Sequence, residues 1–209
     1  MNATFAIPTT APRAGVLADV LPGERVRDAA LVLGGAGLMA LLAQVSIAVD
    51  PSPVPITGQT LGVGLIGATL GMRRGAASLL LYVLMGLFLP VYSEGASGWH
   101  TVWSASGGYL VGFVIAAAVV GRLAERGQDR KVHTAALAFV VGQLIVFVPG
   151  VIGVKLATDQ DWGWSFHWGF TVFIFGGLVK AAIGAAVLPS AWRLVRRFER
   201  QHPNQENQA

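Results

Sequence analysis

The chain has 209 residues, 54% of them hydrophobic and 12% charged, against about 25% charged in a soluble domain, so it reads as one integral membrane domain. Its 27 glycines suit helices that approach closely where lipid supplies no hydrophobic driving force between them. The absence of cysteine excludes disulfides, thiolate metal ligands and a cysteine nucleophile, and the net charge of +4 reflects topology, as mapped below, rather than nucleic-acid binding.

Residues 1–27 are expected to form a cytoplasmic arm. Within it, residues 1–24 lack a basic start followed by a sustained apolar core and do not read as a cleaved signal peptide. Residues 28–191 are expected to hold six transmembrane helices, and 192–209 a basic, polar cytoplasmic tail. The first span runs from Asp28 to Val49. In Asp50 to Gly75 the alternating Pro51, Pro53 and Pro55 hold an extended backbone, and Thr57, Gln59 and Thr60 follow as a polar mouth. Span two, Gly58–Met72, is only about 22 Å long at 1.5 Å per residue. Short, Pro- or Gly-interrupted segments of this kind point to a substrate site, because irregular backbone is tolerated at membrane depth only beside protein or a cavity. A tight turn capped by Thr57 explains the stretch equally well. Span three, Gly75–Leu89, forms a hairpin with span two through Gly71-Met72-Arg73-Arg74-Gly75. The segment Pro90 to Ser106 is too polar to cross and too long for a minimal turn, which makes it a candidate lid. Spans four to six are Gly107–Ala124, Ala135–Val154 and Phe170–Ala191.

Charge placement supports this count. Of the 15 Lys and Arg residues, Lys155 alone falls on the outer loops and Lys180 lies within a span; all the others face the opposite side. Both termini are therefore predicted to be cytoplasmic. The Pro-rich mouth, the lid and the Trp162–Trp168 loop then share the outer face.

Lys180 is the only full charge deep in a span. It either meets an anionic ligand or is satisfied by snorkelling or by a carbonyl. No Asp or Glu lies deep in a span to neutralise it. Gln44 and Gln143 suit interhelical hydrogen bonds or ligand contact. Tyr82 and Tyr109 are core or site aromatics, and Ser106-Gly107-Gly108-Tyr109 places backbone donors of Gly107 and Gly108 at a helix start. Trp162, Trp164 and Trp168 read as an interfacial belt, and His100, His133, His167 and His202 as surface residues without metal-ligand spacing. Neither a catalytic constellation nor a metal, cofactor or phosphate-loop motif is present, so no enzyme is expected and uphill movement of a solute would need separate ATPases or an ion gradient. A stand-alone or ion-coupled carrier for a small carboxylated compound and a membrane scaffold both stay open on this reading.

With these residues in place, the chain resembles the BioY family, the biotin-binding S components of energy-coupling-factor transporters, over about residues 29–190. The resemblance rests on Val54-Pro55-Ile56-Thr57 with Gln59-Thr60-Leu61, on Leu70-Gly71-x-Arg73-x-Gly75, on the run from Tyr82 to Pro90, and on Gly107-Gly108-Tyr109-Leu110-x-Gly112-Phe113. It implies an all-α S-component-like bundle of six transmembrane helices in the bacterial cytoplasmic membrane, with biotin held under outer loops. It also implies partner ABC-type ATPases and a transmembrane coupling subunit. Biotin's ureido ring, thiophane ring and carboxylate would find partners among Thr57, Gln59, Tyr82, Tyr109 and Lys180. Where similar family members read Gly-Asp-Leu-x-Lys, this chain reads Gly176-Gly177-Leu178-Val179-Lys180, and Gln143 is the substitute acceptor for the missing aspartate. Ala36-x-x-x-Ala40 fits the small-residue motif at which S components meet the coupling subunit, and equally fits packing inside the bundle.

Overall fold

The structure, a computed structural model, describes residues 15–20 and 25–201, with side chains through 198. Much of the expected arm and tail, with Arg13 and His202, lies outside the described residues. Among the described residues seven α-helices follow in order: α1 (Arg25–Gln44), α2 (Gln59–Gly86), α3 (Gly98–Trp103), α4 (Gly107–Glu125), α5 (Val132–Thr158), α6 (Trp162–Gly169) and α7 (Ile174–Gln201). Among the described residues, α1, α4, α5 and the stretch Trp162–Phe198 are long and apolar enough to cross a membrane.

Helix α2 is two helices. Gly71 has φ 82° and ψ 179°, a region open essentially to glycine. A Cβ built at Gly75 would lie 3.0 Å from the Gly67 Cα, whereas eight residues along one straight helix span about 12 Å. The chain has doubled back, as expected, but it pivots on Gly71 alone. Arg73 and Arg74 belong to the first turn of the returning helix. That turn exposes backbone N–H groups, and Glu125 at the end of α4 meets one: Met72 N donates to Glu125 Oε1 at 2.9 Å. A 3₁₀ turn, Leu17–Val20, packs beneath the hairpin with Val16 and Ala18 buried, and Arg74 holds Asp19 at 2.6 Å. Burial alone would raise the Asp19 pKa, but the Arg74 and Val16 hydrogen bonds and the charges of Arg74 and Arg27 outweigh it and hold the carboxyl below its ordinary value.

The hairpin packs on α4, α4 on α5, α5 on α7, and α1 flanks the hairpin. Small residues set these distances: a Cβ at Gly67 would reach the Ala117 carbonyl at 2.7 Å, so the two backbones touch. Ala36, Met39 and Ala43 of α1 are fully buried against this core.

Two elements away from the Arg73–Arg74 turn differ from the expectation. The first span ends at Gln44, and Ser46–Ile47 (β1) pairs antiparallel with Ile56–Thr57 (β2), with Ser46 opposite Thr57 and Ile47 opposite Ile56. This ribbon lies in an apolar run that composition cannot distinguish from helix, and it fixes Thr57 above the start of α2. The Trp162–Trp168 stretch is helix α6 rather than loop, because Asp161 caps it by accepting from Trp164 N at 2.8 Å.

Candidate functional site

A cavity lies among the polar start of α2, the first turns of α4, the middle of α5 and the first turns of α7. Each element contributes its own chemistry. Tyr109 and Phe113 come from α4, Phe147 from α5, and Phe173 from the 3₁₀ turn before α7. The Tyr109, Phe147 and Phe173 rings stand 5.8–6.3 Å apart, with Phe147 edge-on to Tyr109, a stable aromatic arrangement. Tyr109 also donates its hydroxyl to the Gly169 carbonyl at 2.6 Å, which ties α4 to the end of α6. The wall is thus apolar, flat-sided and fixed.

Opposite lies the cation. Lys180 Nζ donates to the Thr57 carbonyl at 2.5 Å and to Thr60 Oγ1 at 3.0 Å. A carbonyl therefore does satisfy part of this ammonium, as one of the two sequence readings allowed, yet Lys180 also lines the cavity. An ammonium has three N–H donors, so one remains for a ligand acceptor. Among the described residues no carboxylate pairs with it.

Thr57 and Gln59 form the adjoining polar edge. Thr57 Oγ1 donates to Gln59 Oε1 at 2.9 Å, Gln59 Nε2 donates to Tyr82 Oη at 2.9 Å, and Tyr82 donates to the Val91 carbonyl at 3.2 Å. Tyr82 is wholly buried and stands behind Gln59, outside the cavity lining. Its place is to orient Gln59 and to hold the segment after α2. Gln44 supports the same segment, donating to the Val91 and Tyr92 carbonyls.

Other expected site residues also lie outside the cavity lining. Gly107 and Gly108 do not line the cavity. A Cβ at Gly107 would strike the Val102 carbonyl, and one at Gly108 the Pro149 carbonyl. Their missing side chains serve helix packing, while their neighbours Ser106 and Tyr109 face the cavity. Gln143 donates to the Gly177 carbonyl at 2.8 Å, an interhelical bond from α5 to α7. Gln143 lies outside the cavity lining, whereas Gly177 is in it; a Cβ at Gly177 would strike Gln143 Oε1, so the amide fills the space a side chain there would need. Ala36 is fully buried and Ala40 partly so, both packed into this chain's own bundle. The methyl of Ala36 is therefore not offered to a partner helix.

The structure adds residues that sequence reasoning passed over: Val54 and Pro55 of the mouth, Tyr92, Ser93 and Thr101 of the Pro90–Ser106 segment, and the aromatics Phe113, Phe147 and Phe173. A signal existed for the loop residues, since their hydroxyls are unusual in a stretch flanked by apolar spans. None existed for the phenylalanines, which look like any core residue.

The volume of this cavity is about 40 Å³. A roomier groove of about 470 Å³, lined by residues such as Leu144, Val148, Ile152 and Phe166, lies on the α5–α6 flank. Convergent polar groups beside an apolar wall mark a ligand site better than volume does, and the groove has no charged side chain, so the site is the smaller cavity.

A family model described as the BioY family matches residues 11–197. The chain is 34% identical to "Biotin transporter BioY2" of Lactococcus lactis subsp. cremoris over 157 residues, 73% of this chain and 83% of that one. It is 39% identical to "Biotin transporter BioY" of Rhizobium etli over 142 residues, 64% of this chain and 75% of that one. Its fold superposes on the crystal structure of the S-component for biotin from an ECF-type ABC transporter with a TM-score of 0.74 at 21% identity, covering 80% of this chain and 92% of that chain.

Proposed function

The chain belongs to the BioY family, and from that premise we propose that it is the biotin-capturing subunit of a vitamin transporter. It takes biotin from the outer face and depends on partner ATPases and a transmembrane coupling subunit for its uptake. The observation that carries this reading is the cavity in which an incompletely satisfied ammonium, Lys180, faces an aromatic wall across a hydroxyl- and amide-bearing edge. Biotin has the matching parts: a carboxylate for Lys180, apolar methylenes and thiophane ring for Tyr109, Phe113, Phe147 and Phe173, and a ureido group for the hydroxyls and amides. Thr57 and Gln59 are the polar contacts, Tyr82 positions Gln59, and Gln143 with Gly177 shapes the α5–α7 wall. The two halves of α2 count as separate spans in this reading, which makes six. Both termini are cytoplasmic, because Arg25, Arg74, Arg122, Arg130 and Arg193 gather at one end. Contacts across that end, Arg74 with Asp28 and Trp192 with Asp129, bring them together.

The test is ligand-dependent stabilisation of the purified protein. Biotin at 100 times its dissociation constant should add about 2.7 kcal/mol to unfolding, read as a rise in melting temperature, and a scaffold would give none. Stabilisation by other small carboxylates equal to that by biotin would sink the assignment of substrate.

A further inference from the structure

At the Arg-rich end of the bundle the outer side of α7 changes character. Val179, Ile183 and Val187 are exposed along it, and at 3.6 residues per turn Ser190, Leu194 and Arg197 prolong the same stripe. Trp192, on the other side, is buried and donates to Asp129, with the Arg130 guanidinium over its ring. The stripe therefore faces away from the bundle along its whole length, towards lipid where the helix is in the membrane. Ser190, Arg193, Leu194 and Arg197 line a shallow recess of about 310 Å³.

Three features of the recess define its occupant. Arg193, Arg196 and Arg197 are exposed, and among the described residues none of them pairs with a carboxylate. Arg193 is oriented: its guanidinium donates to Ser190 Oγ at 2.9 Å, and Ser190 in turn donates to the Ala186 carbonyl at 2.7 Å. Apolar surface adjoins the charge, with Leu194 54% and Phe198 56% exposed. From Val187 to Arg193 the axis rises about 9 Å, the step from acyl chains to headgroups.

We propose that this recess binds the headgroup of an anionic phospholipid of the cytoplasmic leaflet. Arg193 and Arg197 meet the phosphate, for which the planar guanidinium is the better-matched base, and the acyl chains lie along Val187 and Ile183. A free phosphate shares the oxyanion chemistry but has nothing to place on Leu194, Phe198 and the apolar stripe, so the lipid is the occupant. The inference rests on the membrane placement given above and is independent of the identity of the transported solute.

The experiment measures melting temperature and retained lipid, by native mass spectrometry, as phosphatidylglycerol, phosphatidylcholine or inorganic phosphate is added to the full chain in detergent. Phosphatidylglycerol should stay bound and raise the melting temperature, and the other two should not. In Arg193→Gln/Arg197→Gln the phosphatidylglycerol affinity should fall about thirty-fold, at about 1 kcal/mol per arginine. The biotin response should stay intact. Arg25→Gln/Arg126→Gln removes the same charge elsewhere and should keep the lipid response. Equal responses to the two lipids, an equal loss in both double variants, or a full response to inorganic phosphate alone would each overturn the proposal. Should the double variant fail to fold, Leu194→Asp, which sets a carboxylate in the recess with both arginines intact, must lose the same lipid response.

Discussion

Lys180 is held by the Thr57 carbonyl and the Thr60 hydroxyl with one donor to spare, so deleting its charge separates the ligand role from the structural one. Lys180→Met keeps most of the stem and its apolar bulk. Stranding a buried carboxylate opposite it should cost about 3–5 kcal/mol, a loss of biotin affinity of roughly a hundred- to several-thousand-fold. Biocytin, an amide at that position, should lose far less. Calorimetric binding of both compounds checks this, and near-parental biotin affinity would place the carboxylate elsewhere. Gly177 allows a cleaner structural test. Gly177→Ala must push the Gln143 amide away from the Gly177 carbonyl, which should lower stability by about 1 kcal/mol. In a Gln143→Ala background the same change should cost less than half as much, since the obstructing amide is gone. An equal cost in both backgrounds would mean that Gln143 is not what keeps residue 177 a glycine. The depth of Lys180 was legible from sequence because a charge inside an apolar run is conspicuous. Its partner Thr57, 123 positions away, was not, because a backbone carbonyl carries no residue signature. The Gly107-Gly108 pair, which lies outside the cavity lining, was ambiguous for a related reason: a glycine that exposes backbone to a ligand and one that lets two helices touch look identical in sequence.

The hairpin of α2 shows the same limit one level up. Hydropathy placed a turn within Gly71-Met72-Arg73-Arg74-Gly75, and the chain does double back there, but the pivot is Gly71 alone, where geometry rather than polarity decides. Gly71→Ala should cost about 1–3 kcal/mol, because an L-residue is forced into a backbone region it rarely occupies and its Cβ would come within 3.0 Å of Glu125 Oε1. Glu125 is the group that meets the Met72 N–H, so displacing it adds to the loss. Thermal unfolding in detergent measures the effect. Biotin affinity should be nearly unchanged, because the turn lies at the opposite end of the bundle from the cavity. A fall in affinity as large as the fall in stability would show that the two ends are coupled. Helix α6 was within reach of sequence reasoning through its Asp161 cap. The two-stranded ribbon was not, since each strand is two residues long and its pairing is settled only in three dimensions.

For the molecule as a whole, the membrane class followed from composition, because bilayer thickness acts on every span alike, whereas the S-component-like bundle followed only from the family resemblance carried by motifs such as Val54-Pro55-Ile56-Thr57 and Gly107-Gly108-Tyr109-Leu110. What composition could not convey is how closed the site is. Clear space of about 40 Å³ admits roughly one water, whereas ligand sites run to about 300 Å³ or more, so biotin can enter only if part of the wall moves. The helices cannot yield easily: α2, α4 and α5 touch backbone to backbone at Gly67, Gly108 and Gly112. The non-helical segments that line the cavity can. Tyr92, Ser93 and Thr101 line the cavity from a stretch made of one 3₁₀ turn and the short helix α3, in which Glu94, Gly95 and Gly98 all have positive φ. Residues 50–54 are tied down chiefly by Ser52, which donates to the Trp168 carbonyl at 3.0 Å. Hydrogen exchange across residues 50–57 and 92–106 should therefore be fast without ligand and slow at saturating biotin. Residues 110–120 of α4 should exchange slowly in both states. Unchanged exchange in both segments at saturating biotin would mean that the opening lies between helices, and the lid would have to be abandoned.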